Sequence, residues 1–169
     1  AEMAVQAALT GHLVLSTLHT NDAPSAVARL TEIGIPPYLI SATLLGVVAQ
    51  RLIRTLCPHC KKRVDVDADQ WDSLIRPWST KPPEKIYLAE GCLECRQTGF
   101  LGRKGIYEMM PLSENLKQHI NSDFDLARFR KLAIKNGMRP LNLAGAQKVA
   151  KGLTTILEVL KVAPPRYDG

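Results

Sequence analysis

The sequence predicts an α/β fold, and three observations carry that reading. Residues 1–56 run helix, strand, helix, helix and strand, the order of a sheet with helices laid against it. Residues 57–102 break that texture with prolines, turns and charges around two Cys-x-x-Cys pairs. From Ser113 onward nearly every signal is helical. We therefore expect three segments: 1–56 as an α/β part, 57–102 as a small cysteine-bearing insert, and 103–169 as a strand plus a C-terminal helical subdomain. The 46% hydrophobic content is globular, but aromatics are only 5%, so Leu, Ile, Val and Ala must build the core.

The elements follow in order. Residues 1–9 are strong helix formers, and Gly11 suits the position after a helix end. Residues 12–19 (HLVLSTLH) read as a short strand, apolar on both faces, as in a buried parallel sheet. Asp22 is an N-cap, with Pro24 tolerated in the first turn, for a helix ending near Gly34. Pro36-Pro37 opens a further helix through Ile40–Leu45, and VVAQRLIRTL alternates as a strand into the first cysteine pair. The insert predicts one short helix near Asp69–Ile75, flanked by Trp71 and Trp78, which pack the module. Arg103–Pro111 reads as a strand, and Ser113 caps a helix. Asp123 or Asp125 starts another that stops at Gly137, and a third runs to Gly152. Thr155-Ile-Leu-Glu158 is a capping-box pattern for a last helix, and the tail from Pro164 is expected to fray.

The formal charge of +6 and an isoelectric point of about 9.3 permit contact with nucleic acid, acidic lipid or an acidic protein surface without choosing among them. No apolar run approaches the ~20 residues of a membrane span. The N-terminus carries no basic region followed by an apolar one, so no signal peptide is read. It opens as if in mid-helix, which suggests a piece of a longer protein.

All four cysteines fall into Cys57-Pro-His-Cys60 and Cys92-Leu-Glu-Cys95. Two residues between ligands let both sulfurs of a tight knuckle reach one ion, and two knuckles complete a tetrahedral shell around zinc. A disulfide pair is disfavoured without a secretory signal. A redox dithiol would need only one pair. His59, between two ligands, is read as pointing outward. A closed shell of Cys57, Cys60, Cys92 and Cys95 leaves no position for water, so one structural Zn²⁺ per chain is expected. It would hold an insert too small to fold unaided.

Five stretches resemble the type II secretion and type IV pilus-assembly ATPase family: AEMAVQAALTGHLVLSTLHTNDAPSAVARL, AQRLIRTLCPHC, the tetracysteine insert, TGFLGRKGIYEMMPL, and GMRPLNLAGAQKVAKGLTTILEVLKV. The resemblance implies the C-terminal half of a RecA-like P-loop ATPase domain. It also implies a homo-hexameric motor, cytoplasmic and peripheral at the inner membrane through components of the secretion or pilus machinery. ATP and Mg²⁺ serve the intact protein. The family's phosphate loop, Asp-box and Walker B segment are absent here, and no G-K-[ST] occurs. The chain alone is therefore expected to be inactive.

What the resemblance retains is the family's His-box, from Thr10-Gly11-His12 to His19-Thr20-Asn21. A strand over 12–19 at ~3.3 Å per residue would separate its two histidines by roughly 23 Å, so they cannot serve one phosphate. Ligands gather at the carboxyl ends of strands in open α/β sheets. That makes His19 the catalytic candidate, with Thr17, Thr20 and Asn21 beside the nucleotide, and leaves His12 a structural histidine or subunit contact. Arg51 and Arg54 match a basic strand of the family and are candidates for a phosphate or a neighbouring subunit. Arg103 is a candidate subunit contact, and His119 reads as ordinary surface. The rival reading is a free zinc-ribbon module binding nucleic acid through Lys61-Lys62-Arg63. Dispersed basic residues and an α/β stretch that a ribbon does not need speak against it, so no nucleic-acid partner is expected.

Overall fold

A computed structural model describes residues 1–166; the end of the tail, 167–169, lies outside the described residues. Twelve elements follow the chain: α1 (Glu2–Leu9), α2 (Ala23–Glu32), α3 (Pro37–Thr43), β1 (Gly46–Leu56), β2 (Lys62–Asp65), α4 (Ala68–Ile75), β3 (Lys85–Leu88), β4 (Phe100–Pro111), α5 (Glu114–Lys117), α6 (Leu126–Lys135), α7 (Leu141–Ala150) and α8 (Ile156–Val162). They form a mixed α/β architecture with two two-stranded sheets, β1–β4 and β2–β3.

Local chemistry explains most boundaries. The Asp22 carboxylate accepts the Ser25 amide at 2.9 Å, and Asp125 accepts that of Arg128, each satisfying an orphan N–H of a first helical turn. After α6, Gly137 adopts φ +97, a backbone that glycine reaches without steric cost. In β4 the buried residues Ile106, Glu108 and Met110 alternate with exposed Tyr107 and Met109, the two-residue period of a strand with one covered face.

The chain divides into two compact units, Ala1–Ala49 with Glu108–Pro140 and Gln50–Tyr107 with Leu141–Gly169. These cuts differ from the sequence boundaries at 56/57 and 102/103, because β1 and β4 each run through both units. In the first unit α2 packs on α3 and α6, and α1 on α3; Ala26, Val27, Ile40, Met110, Leu116 and Phe129 are buried there. In the second, α4 packs on α7 and α8. Trp71, Leu74, Ile75 and Ile86 share one core with Ala146, Val149, Ile156 and Val159. The cysteine-bearing insert thus has no core of its own, as its composition suggested, and is completed by the C-terminal helices.

Residues 12–19 depart from expectation. They form no strand, and Leu13 and Leu15 are 76% and 88% exposed. A strand's amides and carbonyls are satisfied by its neighbours, and among the described residues no strand lies alongside this segment. β2 and β3 were not foreseen. The capping box is half formed: Thr155 Oγ1 accepts the Glu158 amide at 3.2 Å, but the Glu158 carboxylate turns to Arg54.

Candidate metal centre and histidine segment

The antiparallel ribbon β2–β3 brings the cysteine pairs together. Its register, Lys62 opposite Leu88 through Asp65 opposite Lys85, puts both knuckles at one end. The Asp65–Lys85 ion pair lies at the other. The first knuckle is tied by Lys61 N–H to Cys57 O at 3.1 Å, and Cys57 N–H to Gly99 O at 2.9 Å. The second closes through Gln97 N–H to Cys92 O at 2.8 Å. Gly99 adopts φ +74, and a Cβ there would collide with Ala89, so only glycine fits.

All four Sγ atoms lie within 4.8 Å of one another. Neighbouring separations are 3.9 Å for Cys57–Cys92, 3.8 Å for Cys60–Cys95 and 3.7 Å for Cys92–Cys95. A regular tetrahedron with metal–sulfur bonds of ~2.3 Å has edges of ~3.8 Å, so the donor set fits a tetrahedral thiolate site. Backbone amides already point at the sulfurs: Gly91 N–H to Cys60 at 3.3 Å, and Cys92 and Gly99 N–H to Cys95, each at 3.2 Å. Burial opposes ionisation of Cys95, but those amides and the thiols of Cys92 and Cys60 outweigh it and bring it down to about 6. Cys60 is pushed up to about 12, by burial first and then by its neighbouring thiols. Such opposed shifts are what charge shared within one cluster produces.

The knuckle is fastened to the helices of its unit. Lys61 Nζ donates to Gly152 O at 3.0 Å and sits 4.5 Å from the Tyr87 ring centroid. Leu56 N–H bonds to Leu153 O at 2.9 Å, and Thr154 Oγ1 donates to Arg54 O at 2.8 Å. The Arg54 guanidinium donates to both Glu158 oxygens at 2.7–3.0 Å and stacks 4.1 Å from the Phe100 ring centroid. That is a bidentate ion pair between a half-exposed arginine and a buried carboxylate. The Arg54 hydrogen bond holds the Glu158 carboxyl below its ordinary range against the opposing effect of burial.

The histidine segment is organised differently. His12 Nδ1 lies 3.0 Å from Thr10 Oγ1 and 3.3 Å from Ala7 O, at the end of α1. Thr17, His19 and Asn21 are exposed, and Thr20 Oγ1 donates to Asp22 O at 3.2 Å. Arg51 bonds to Gln50 O and belongs with Arg54 to the second unit, whereas Thr17–Asn21 belongs to the first. His119 is a half-buried residue just past the end of α5, with its Nδ1 2.9 Å from Asn115 O. Sequence reasoning read Glu158 only as a capping-box acid and missed Glu108; both are buried carboxylates. For Glu108 the signal was present: an acid between Ile106 and Met110 on the apolar face of a strand.

These features define an α/β segment with four cysteines gathered within metal-binding distance. The family model described as "Type II/IV secretion system protein" matches residues 1–161, and the chain belongs to that family. It is 56% identical over 164 residues to the type IV pilus assembly ATPase TfpB of Acinetobacter baylyi, covering 97% of this chain and 28% of that protein. It is 44% identical to the type II secretion system ATPase E of Vibrio cholerae, covering 96% of the chain and 32% of that protein. The chain thus spans about three-tenths of the length of these relatives. The crystal structure of the pilus retraction motor PilT with bound ADP shares the fold, with a TM-score of 0.61 at 20% identity over 97% of this chain and 36% of that one. The match runs on both sides of the cysteines, which displaces the reading of a free zinc ribbon.

Proposed function

We propose that this chain completes the ATP-hydrolysing domain of a hexameric motor that drives type IV pilus assembly. The observation that carries the reading is the 56% identity to a pilus assembly ATPase over 97% of the chain. In this reading residues 1–56 belong to the RecA-like domain, and 12–19 become a strand when the rest of that domain supplies its neighbours. The bound metal is zinc, a d¹⁰ ion suited to four thiolates in a closed shell, and its role is structural. The motor works at the cytoplasmic face of the inner membrane through partners of the pilus machinery and takes no nucleic acid. Among the described residues no helix is long and apolar enough to cross a membrane.

When bound, ATP with Mg²⁺ supplies the phosphoryl group to be transferred. His19, exposed and with no side-chain hydrogen bond among the described residues, donates to an oxygen of that group as charge develops on it. Thr17, Thr20 and Asn21 stand beside His19 in the same segment. The test is paired kinetics and thermal unfolding in the full-length motor. His19→Ala should lower kcat by roughly 10- to 1000-fold with little change in ATP affinity. His12→Ala should lower the melting temperature or the hexamer fraction. Normal turnover in His19→Ala would remove His19 from catalysis; a stable, hexameric but dead His12→Ala would transfer the role. The chain alone should show no ATP hydrolysis above background.

A further inference from the structure

The first turn of α2 carries more acid than its capping requires. Asp22 accepts Ser25 N–H at 2.9 Å, and Pro24 has no N–H to satisfy. The remaining amide, Ala23 N–H, bonds at 2.7 Å to Glu108 Oε1, reached from β4 across 85 residues. Asp22 and Glu108 are 4% and 3% exposed. From α6, Arg130 donates to Asp22 Oδ2 at 2.9 Å, while its own Nε is buried without a hydrogen bond among the described residues. Burying a charge costs several kcal/mol before its partners repay it, and a neutral acceptor could have met the Ala23 amide more cheaply. Burial alone would raise the Asp22 carboxyl; Ser25 and Arg130 outweigh it and hold it below its ordinary range.

What this assembly fixes is the chain immediately after His19. Thr20 Oγ1 donates to Asp22 O, so residues 20–23 are held from β4, α6 and α2 at once. On the other side, residues 12–18 enter no strand and Leu18 contributes only a local bond to Thr20 N–H at 3.1 Å. In this chain the position of His19 is therefore set from its C-terminal side, and the strand proposed for 12–19 in the intact domain would end at this same anchor. We propose that Glu108, with Asp22 and Arg130, is a positioning residue for His19, holding the 20–23 anchor in the one arrangement that aims the imidazole at the transferring phosphoryl group. The proposal rests on the catalytic reading of His19.

A double-mutant cycle in the full-length motor tests it. Glu108→Ala should lower kcat about 10- to 100-fold while the KM for ATP changes less than about 3-fold. Glu108→Gln, which keeps an acceptor for the Ala23 amide, should recover most of the loss. The double variant with His19→Ala should be no slower than His19→Ala alone, because a residue acting through another is not additive with it. Should Glu108→Ala fail to fold, Glu108→Asp, which withdraws the carboxylate by one methylene, takes its place in the cycle. A slow His19→Ala beside a normal Glu108 variant, or losses that multiply in the double variant, overturns the positioning role alone. A His19→Ala motor with normal kcat overturns the reading of His19 and the positioning role with it.

Discussion

The tetracysteine site and the histidine segment are both short stretches of chain, and they obtain their structure in opposite ways. The two knuckles supply each other's partners: within the second, the amides of Cys92 and Gly99 point at Cys95 and Gln97 N–H closes on Cys92 O, while the first draws the Gly91 amide to Cys60 and Gly99 O to Cys57 N–H. Residues 12–19 have no such resource, because the hydrogen bonds of an extended chain go to whatever lies beside it. Their apolar side chains consequently stand in solvent, Leu15 at 88%. Paired knuckles are legible and complete each other; an extended segment is legible and dependent on what lies beside it.

The comparison can be pressed hardest by removing the metal. Structural zinc contributes about 10 kcal/mol or more in small domains, comparable with the whole stability of a typical fold. Treating the insert as a separate module would leave the terminal helices intact on chelation. The shared core of Trp71, Leu74 and Ile86 with Val149, Ile156 and Val159 requires instead that α7 and α8 loosen with it, seen as lost helicity in circular dichroism. A smaller perturbation is Gly145→Val in α7, whose Cβ would overlap the Val159 side chain of α8; overpacking of this kind costs about 2–3 kcal/mol, read by denaturant unfolding.

Smaller again is Glu158→Gln, which weakens the tie from α8 to the strand entering the knuckle. With one side of the pair solvated, the expected cost is about 1–2 kcal/mol at neutral pH. The folded carboxyl is held below its ordinary value of 4.5. Its contribution is therefore fully present above that value and is lost as pH falls through the lower folded value. Wild type and variant should differ by a constant amount at neutral pH and converge in acid; a gap that widened in acid would contradict the assignment. The smallest effect belongs to the other region. Leu15→Ser in this chain should change stability by no more than about 0.5 kcal/mol, because nothing covers Leu15. A large loss would mean that 12–19 is packed after all.

Much of this was readable from residues that act locally. Asp22, Ser113, Thr155 and either Asp123 or Asp125 read as caps, and Asp22, Ser113, Asp125 and Thr155 accept first-turn amides, because a cap and its target lie three residues apart. The spacing of the cysteines likewise announced one four-sulfur cluster. β2 and β3 escaped because four-residue strands such as Lys62–Asp65 are too short to display a period. Arg54 was read for its charge, but its partner Glu158 lies 104 residues away, and Glu108 reaches the start of α2 over 85. No local pattern encodes such pairs; they follow only from how β1 and β4 thread the fold.

Zinc analysis coupled to hydrogen exchange tests most directly whether metal, knuckle and terminal helices are one unit. Protein purified under reducing conditions should carry one zinc per chain. On chelation, amides of 54–61 and of 141–162 should lose protection together, while α2 and α6 keep theirs. Far less than one equivalent of zinc, or α7 and α8 still protected after the metal is gone, would contradict the account.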